Sequence, residues 1–238
     1  QAAFADGTKW QVMGRKGTIC FSAYAVSMVI ALGGVAGVLP AYQGMLLLIW
    51  SFVLDILAKY GFRLRAEYLH FVLLDDVGVM PILAVTLLTP GLHPGIRRVA
   101  LTTPLLSALL SFSQICKNHG ALPATVRDFF SPLAEPVARY KVMRLRGYAE
   151  VGLGFLLALG VLTARAAPFS ALIYWNVMMM RYMMSHWTQQ AFTELDSVLE
   201  PACEKVPGLK QGYSALKAKL YGFVDPQSKS AGRLCAIL

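Results

Sequence analysis

The sequence predicts an all-α, polytopic integral membrane protein, with about six helices in three hairpins plus amphipathic interfacial helices. Three observations carry this. Hydrophobic residues make up 56% of the 238-residue chain, charged residues only 15%, and mean hydropathy is +0.54. A soluble domain carries about a quarter charged residues, so the composition rules out a disordered, collagenous or disulfide-framework chain and disfavours a soluble globular enzyme. Uncharged apolar runs recur along the chain, divided by Gly and Pro. Basic residues are concentrated outside those runs: 22 Lys+Arg against 13 Asp+Glu leave a net charge of +9. In a membrane protein that excess points to a face near anionic lipid, with no nucleic-acid partner.

Gly17 to Leu54 contains no charged residue, a run of 38. One span needs about 20 residues, so the run holds two, divided at Gly33, Gly34, Gly37 and Pro40. The first helix is expected over Thr18–Leu39 and the second over Tyr42–Leu57. A third is expected over Ala66–Leu88, entered through Lys59, Arg63 and Arg65. The stretch Pro90-Gly91-Leu92-His93-Pro94-Gly95 breaks the chain. A fourth helix follows over Val99–Cys116, a fifth over Gly147–Thr163 and a sixth over Pro168–Met184. The last three are short, which suits hairpins that stop short of the far interface or thin the bilayer.

If all six cross, 19 of the 22 basic residues share one side, and only Arg97, Arg98 and Arg165 lie on the other. Lys/Arg asymmetry sets orientation, so both termini are expected on the cytosolic, matrix or stromal side. Residues 1–186 form the expected membrane domain and 187–238 an amphipathic, basic C-terminal segment on that side. The start at Gln1 instead of Met suggests removal of an organellar transit peptide, or a disordered N-terminus.

Three stretches outside the spans are amphipathic. Val126, Phe129, Phe130, Leu133, Val137 and Tyr140 form one stripe, interrupted by Pro132 and Pro136. Trp187, Phe192, Leu195 and Leu199 form a second. Val206, Leu209, Tyr213, Leu216, Leu220 and Phe223 form the cleanest, with Lys205, Lys210, Lys217 and Lys219 around it. Such a helix lies in a membrane interface or packs on the rest of the protein; the candidate interface or partner residues are Leu209, Tyr213, Leu216, Lys217, Leu220 and Phe223.

Asp75 and Asp76 form an acidic pair inside an apolar run, which raises a functional reading. A relay would need a partner base, and no His or Lys follows at i+3 or i+4. Capping a helix at an interface, or pairing with Arg63 or Arg65, fits better. Asp55 and Lys59 have the i,i+4 spacing of a surface pair, and Glu150 is expected to pair with Arg146. His70, His93, His119 and His186 form no metal or nucleophile pattern, and a porphyrin role for His70 would rest on one histidine. No phosphate-binding, dinucleotide or hydrolase motif occurs. Met178, Met179, Met180, Met183 and Met184 read as packing residues. No catalytic residue, cofactor or metal is expected. Cys20, Cys116, Cys203 and Cys235 are scattered. Cys235-Ala236-Ile237-Leu238 fits a prenylation box, which makes Cys235 a possible lipidation site.

The order of short motifs resembles the transmembrane protein 33 family, which includes a yeast pore-membrane protein. The motifs are Trp10 and Arg15-Lys16, Pro40-Ala41-Tyr42-Gln43, Leu73-Leu74-Asp75-Asp76 and Pro104-Leu105-Leu106-Ser107. They continue with Ile173-Tyr174-Trp175, Arg181-Tyr182 and Phe192-Thr193-Glu194-Leu195. A basic run common in the family after the Arg-Tyr pair is replaced here by Met183-Met184-Ser185-His186-Trp187. The resemblance implies a helical protein of the endoplasmic reticulum and nuclear envelope, partnered with reticulon-like shaping proteins and without enzymatic activity. The composition alone also admits an accessory subunit of a respiratory or photosynthetic complex, in the mitochondrial inner or thylakoid membrane.

Overall fold

The computed structural model describes residues 14–61, 76–89, 91–118 and 122–204, together with the single positions Gln211, Ser214 and Ala218. Among the described residues all regular structure is helical. Four helices are long and apolar enough to cross a membrane: Gly17–Ala36, Ala41–Tyr60, Pro94–Asn118 and Pro136–Leu162.

Helix α1 (Gly14–Ala36) and α2 (Ala41–Tyr60) form a hairpin. Gly37 takes φ +80, and the Val38 and Leu39 amides bond back to the Gly33 carbonyl at 2.9 and 3.1 Å. That is a left-handed helix cap, which glycine enters without a Cβ penalty. The two helices touch backbone to backbone, since a Cβ on Gly44 would lie 2.8 Å from the Ala31 Cα. Small residues at the crossing permit this approach, as in membrane helix pairs. Tyr24, Met28, Ala31, Met45, Leu48 and Phe52 are buried between them and their neighbours, while Val26, Val29, Leu32, Leu46 and Trp50 are exposed. Helices that are apolar on both the inward and the outward face belong in lipid.

Helix α3 (Asp76–Thr86) packs on α2, burying Val79, Met80, Leu83 and Ala84. Helices α4 (Pro94–Ala100) and α5 (Thr102–Asn118) run nearly continuously through Leu101, whose amide bonds the Arg97 carbonyl and whose carbonyl accepts from Leu105. This rod begins at Pro94, five residues before the expected start of the fourth helix. It stands at the centre, against α1 on one side. On the other side it meets α7 (Pro136–Leu162). Helix α8 (Pro168–Met184) packs on α3 and α7, and α9 (His186–Glu204) packs on α7 and α8.

The fifth helix starts at Pro136, not at Gly147 as expected. Proline at the first helical position leaves no amide unsatisfied and presets φ, so the residue read as an interruption is a helix start. The first amphipathic stripe therefore does not lie on one face. It is divided among α6 (Ala124–Phe130), a 3₁₀ turn (Ser131–Ala134) and the start of α7. Phe130 stacks edge-on to Phe112, with ring centres 4.8 Å apart, whereas Phe129, Val137 and Tyr140 are exposed. In α9 the second stripe packs against protein: Phe192 meets Tyr182 and Trp175.

The turns after α1, after α3 and after α7 gather at one end. The His93 amide bonds the Arg165 carbonyl at 2.9 Å, and the Thr89 and Ser170 hydroxyls lie 2.5 Å apart. The Arg98 guanidinium crowds Gly37.

Candidate functional site

The polar centre of the molecule is built by α7, α8 and α9. Glu150 lies on α7, four residues after Arg146, on the face turned inward; its relative exposure is 0%, that of Arg146 1% and that of Arg181 2%. Arg181 on α8 donates from Nη2 to Glu150 Oε1 at 3.0 Å. Arg146 Nε is 3.4 Å from the same oxygen. Thr188, one turn into α9, donates to Glu150 Oε2 at 3.2 Å, and the Tyr174 hydroxyl donates to the Glu150 backbone carbonyl at 2.8 Å. One carboxylate thus ties three helices. An unpaired buried charge is very costly, so this arrangement holds α7, α8 and α9 in a single register.

Close backbone contact makes the arrangement possible. A Cβ on Gly147 would meet the Trp187 carbonyl oxygen at 2.7 Å, and one on Gly154 would press on Trp175 and Tyr174. At the edge of the cluster Arg144 grips Glu194 through Nη2 at 2.9 and 3.1 Å, and Gln190 donates to Glu194 at 2.7 Å.

A second polar seam joins α1 and α2. Tyr24 donates to Asp55 Oδ2 at 2.9 Å, Lys59 lies 3.1 Å from the same oxygen, and Ser51 donates to Ser27 at 3.1 Å. The Asp55–Lys59 pair forms as its spacing predicts, but it is not a surface pair: Asp55 is fully buried. The Tyr24 hydroxyl on the facing helix replaces the water that an interfacial carboxylate would keep.

The pairing of Glu150 with Arg146 is present as expected. Arg181, Thr188 and Tyr174, which complete the cluster, were not anticipated. An arginine in the Met-rich apolar helix was the available signal, because intramembrane charge is rare and usually partnered. Asp76 is the first residue of α3. Asp75, the side chain of Asp76, and Cys235 lie outside the described residues, as do Leu209, Tyr213, Leu216, Lys217, Leu220 and Phe223. Within that last stretch Gln211, Ser214 and Ala218 are helical and exposed, and none belongs to the apolar stripe. Cys20 and Cys116 are buried free thiols. Among the described residues no group of three His, Cys, Asp or Glu could hold a metal. The groove along α7 lined by Pro136, Tyr140, Arg144 and Tyr148 does not include Glu150, Arg146 or Arg181. What the cluster offers is a fixed joint between three helices.

The model of the family Transmembrane protein 33/Nucleoporin POM33 matches residues 113–224. Over that stretch the chain is similar to the transmembrane protein 33 family. No curated protein and no solved structure matches the chain. The matched stretch begins near the end of α5, contains α6 to α9, and holds every member of the Glu150 cluster. The α1–α2 hairpin and the Leu73-Leu74-Asp75-Asp76 motif precede it. The four long apolar helices and the match to a family of transmembrane proteins both indicate an integral membrane protein.

Proposed function

We propose that this is a non-enzymatic membrane-shaping or scaffolding protein of the endoplasmic reticulum and nuclear envelope, anchored by three helical hairpins with both termini on the cytosolic side. The observation that carries the reading is the gathering of the three turns at one end. That end contains Arg97, Arg98 and Arg165, the three basic residues that charge asymmetry sets apart.

At the opposite end the chain is bulkier. The basic first turns of α7, the short α6 and the charged α9 all lie there, with Lys117–Glu135 and Arg144–Glu194 bridging between elements. A protein wider in one leaflet than the other is a wedge, and the buried Glu150 joint would keep the wedge from collapsing. The partners that suit this reading are anionic lipids at the basic face and other membrane proteins, reticulon-like shapers among them.

The test is reconstitution of the full chain into liposomes of endoplasmic reticulum composition, imaged by electron microscopy as the protein-to-lipid ratio rises. The expected result is tubules or small highly curved vesicles. Unchanged large vesicles, with the protein inserted, would remove the shaping role. Protease protection of tags at the two termini checks the topology: opposite protection would sink the three-hairpin arrangement.

A further inference from the structure

The end that holds the three turns has a charge pattern of its own. Arg97, Arg98 and Arg165 are its basic residues, and no acid occurs from Gly7 to Leu54, from Val77 to Arg127 or from Val151 to Thr193. Among the described residues no carboxylate lies within ion-pair distance of any of the three. Arg97 donates from Nη2 to the Thr89 carbonyl at 3.3 Å, while its Nε is buried without a hydrogen-bond partner. Arg97 and Arg98 line a cleft closed by Pro40, Tyr42 and Pro94. Around this end stand large exposed apolar side chains: Val38 (81%), Leu162 (83%) and Phe169 (66%).

A planar guanidinium fork matches phosphate oxygens, and a buried donor without an acceptor is costly. Helix C-termini at this end, those of α1, α3 and α7, present carbonyls that attract cations, and the Arg97–Thr89 bond is one such contact. It occupies one nitrogen only. Among the described residues nothing supplies the counter-charge for the rest, and the apolar rim indicates a source that carries acyl chains.

We propose that Arg97 and Arg98, with Arg165 beside them, hold the phosphate of a phospholipid in the leaflet opposite the termini, its acyl chains lying against Val38, Leu162 and Phe169. The proposal rests on the crossing arrangement above. It differs from the anionic-lipid contact at the basic face, because a single lipid is seated here and its phosphate, not its net charge, is recognised.

Native mass spectrometry of the full-length protein in mild detergent tests it, with added phosphatidylcholine, with diacylglycerol of the same acyl chains, and with millimolar inorganic phosphate. The wild-type protein should retain phosphatidylcholine and not diacylglycerol, and inorganic phosphate should not displace the lipid. Arg97→Gln plus Arg98→Gln should lower retention about tenfold or more, the factor one charge-assisted hydrogen bond carries. Arg165→Gln, an exposed change that should leave folding intact, should lower it to a smaller degree. Arg139→Gln plus Lys141→Gln at the other end should leave it unchanged. Equal retention in wild type and in both arginine variants would overturn the proposal, as would equal retention of diacylglycerol or displacement by inorganic phosphate. A Thr163→Cys variant in which Cys203 and Cys235 are changed to serine, labelled with a membrane-impermeant maleimide, tests the arrangement separately. Labelling from the side of the termini would refute the crossing while leaving the retention measurement interpretable.

Discussion

Replacing Glu150 by alanine removes the carboxylate shared by Arg146 and Arg181, and takes the acceptor from Thr188. Both guanidinia are almost fully buried, so neither can turn to water without moving a helix. Breaking a buried ion pair by removing one partner costs about 3–5 kcal/mol. At about 2–4 °C per kcal/mol for a chain of this size, Tm should fall by about 6–20 °C. The assay follows from the buried thiols. Cys20 and Cys116 are shielded in the folded protein, so a thiol-reactive dye reports unfolding in detergent once Cys203 and Cys235 are changed to serine. Glu150→Gln keeps the volume and an acceptor oxygen, and should fall between wild type and Glu150→Ala. Arg144→Ala serves as the exposed control, since exposed pairs contribute little. A Glu150→Ala shift no larger than the Arg144→Ala shift would refute the argument that this cluster holds α7, α8 and α9 together.

Gly147→Ala should destabilise by about 1–3 kcal/mol, because the new Cβ meets the Trp187 backbone carbonyl; an unchanged Tm in the same dye assay would show that α9 can move away freely. Asp55→Ala should cost about 1–3 kcal/mol, by stripping a buried acceptor from Tyr24, again read as Tm. Asp75→Asn plus Asp76→Asn should alter stability or assembly, followed by size-exclusion chromatography; loss of a transport or lipid reaction in a still-assembled variant would reverse the non-enzymatic reading. Leu216→Asp plus Leu220→Asp should expose the C-terminal segment of the full chain to limited proteolysis more than neutralising Lys217 and Lys219 does, because burial of a Leu side chain is worth about 1.5–3 kcal/mol and a lysine near an anionic surface about 1 kcal/mol.

Much of the architecture was legible in the order of residues. The α1–α2 hairpin follows from an uncharged run too long for one span and from Gly37, whose positive φ the turn requires. The start of α8 at Pro168 and its end at Met184 were both readable, because a proline opens the helix and a polar pair follows it. The segregation of Arg97, Arg98 and Arg165 was equally plain, since charge near a membrane is constrained residue by residue. Local punctuation and hydropathy act over a few residues, and a linear reading captures them.

What only the tertiary structure decided is which polar residues turn inward and what they meet. Glu150 and Arg181 are 31 positions apart, as are Tyr24 and Asp55. Hydropathy says that Asp55 stands near a helix end, and nothing in its own helix says that a tyrosine from α1 will cover it. Pro136 could interrupt a helix or begin one, and packing of the following turns against α5 and α9 selects the beginning. These outcomes depend on which helices approach closely enough to exclude water. That is set at positions such as Gly44 and Gly147, where the absence of a Cβ lets one backbone touch another.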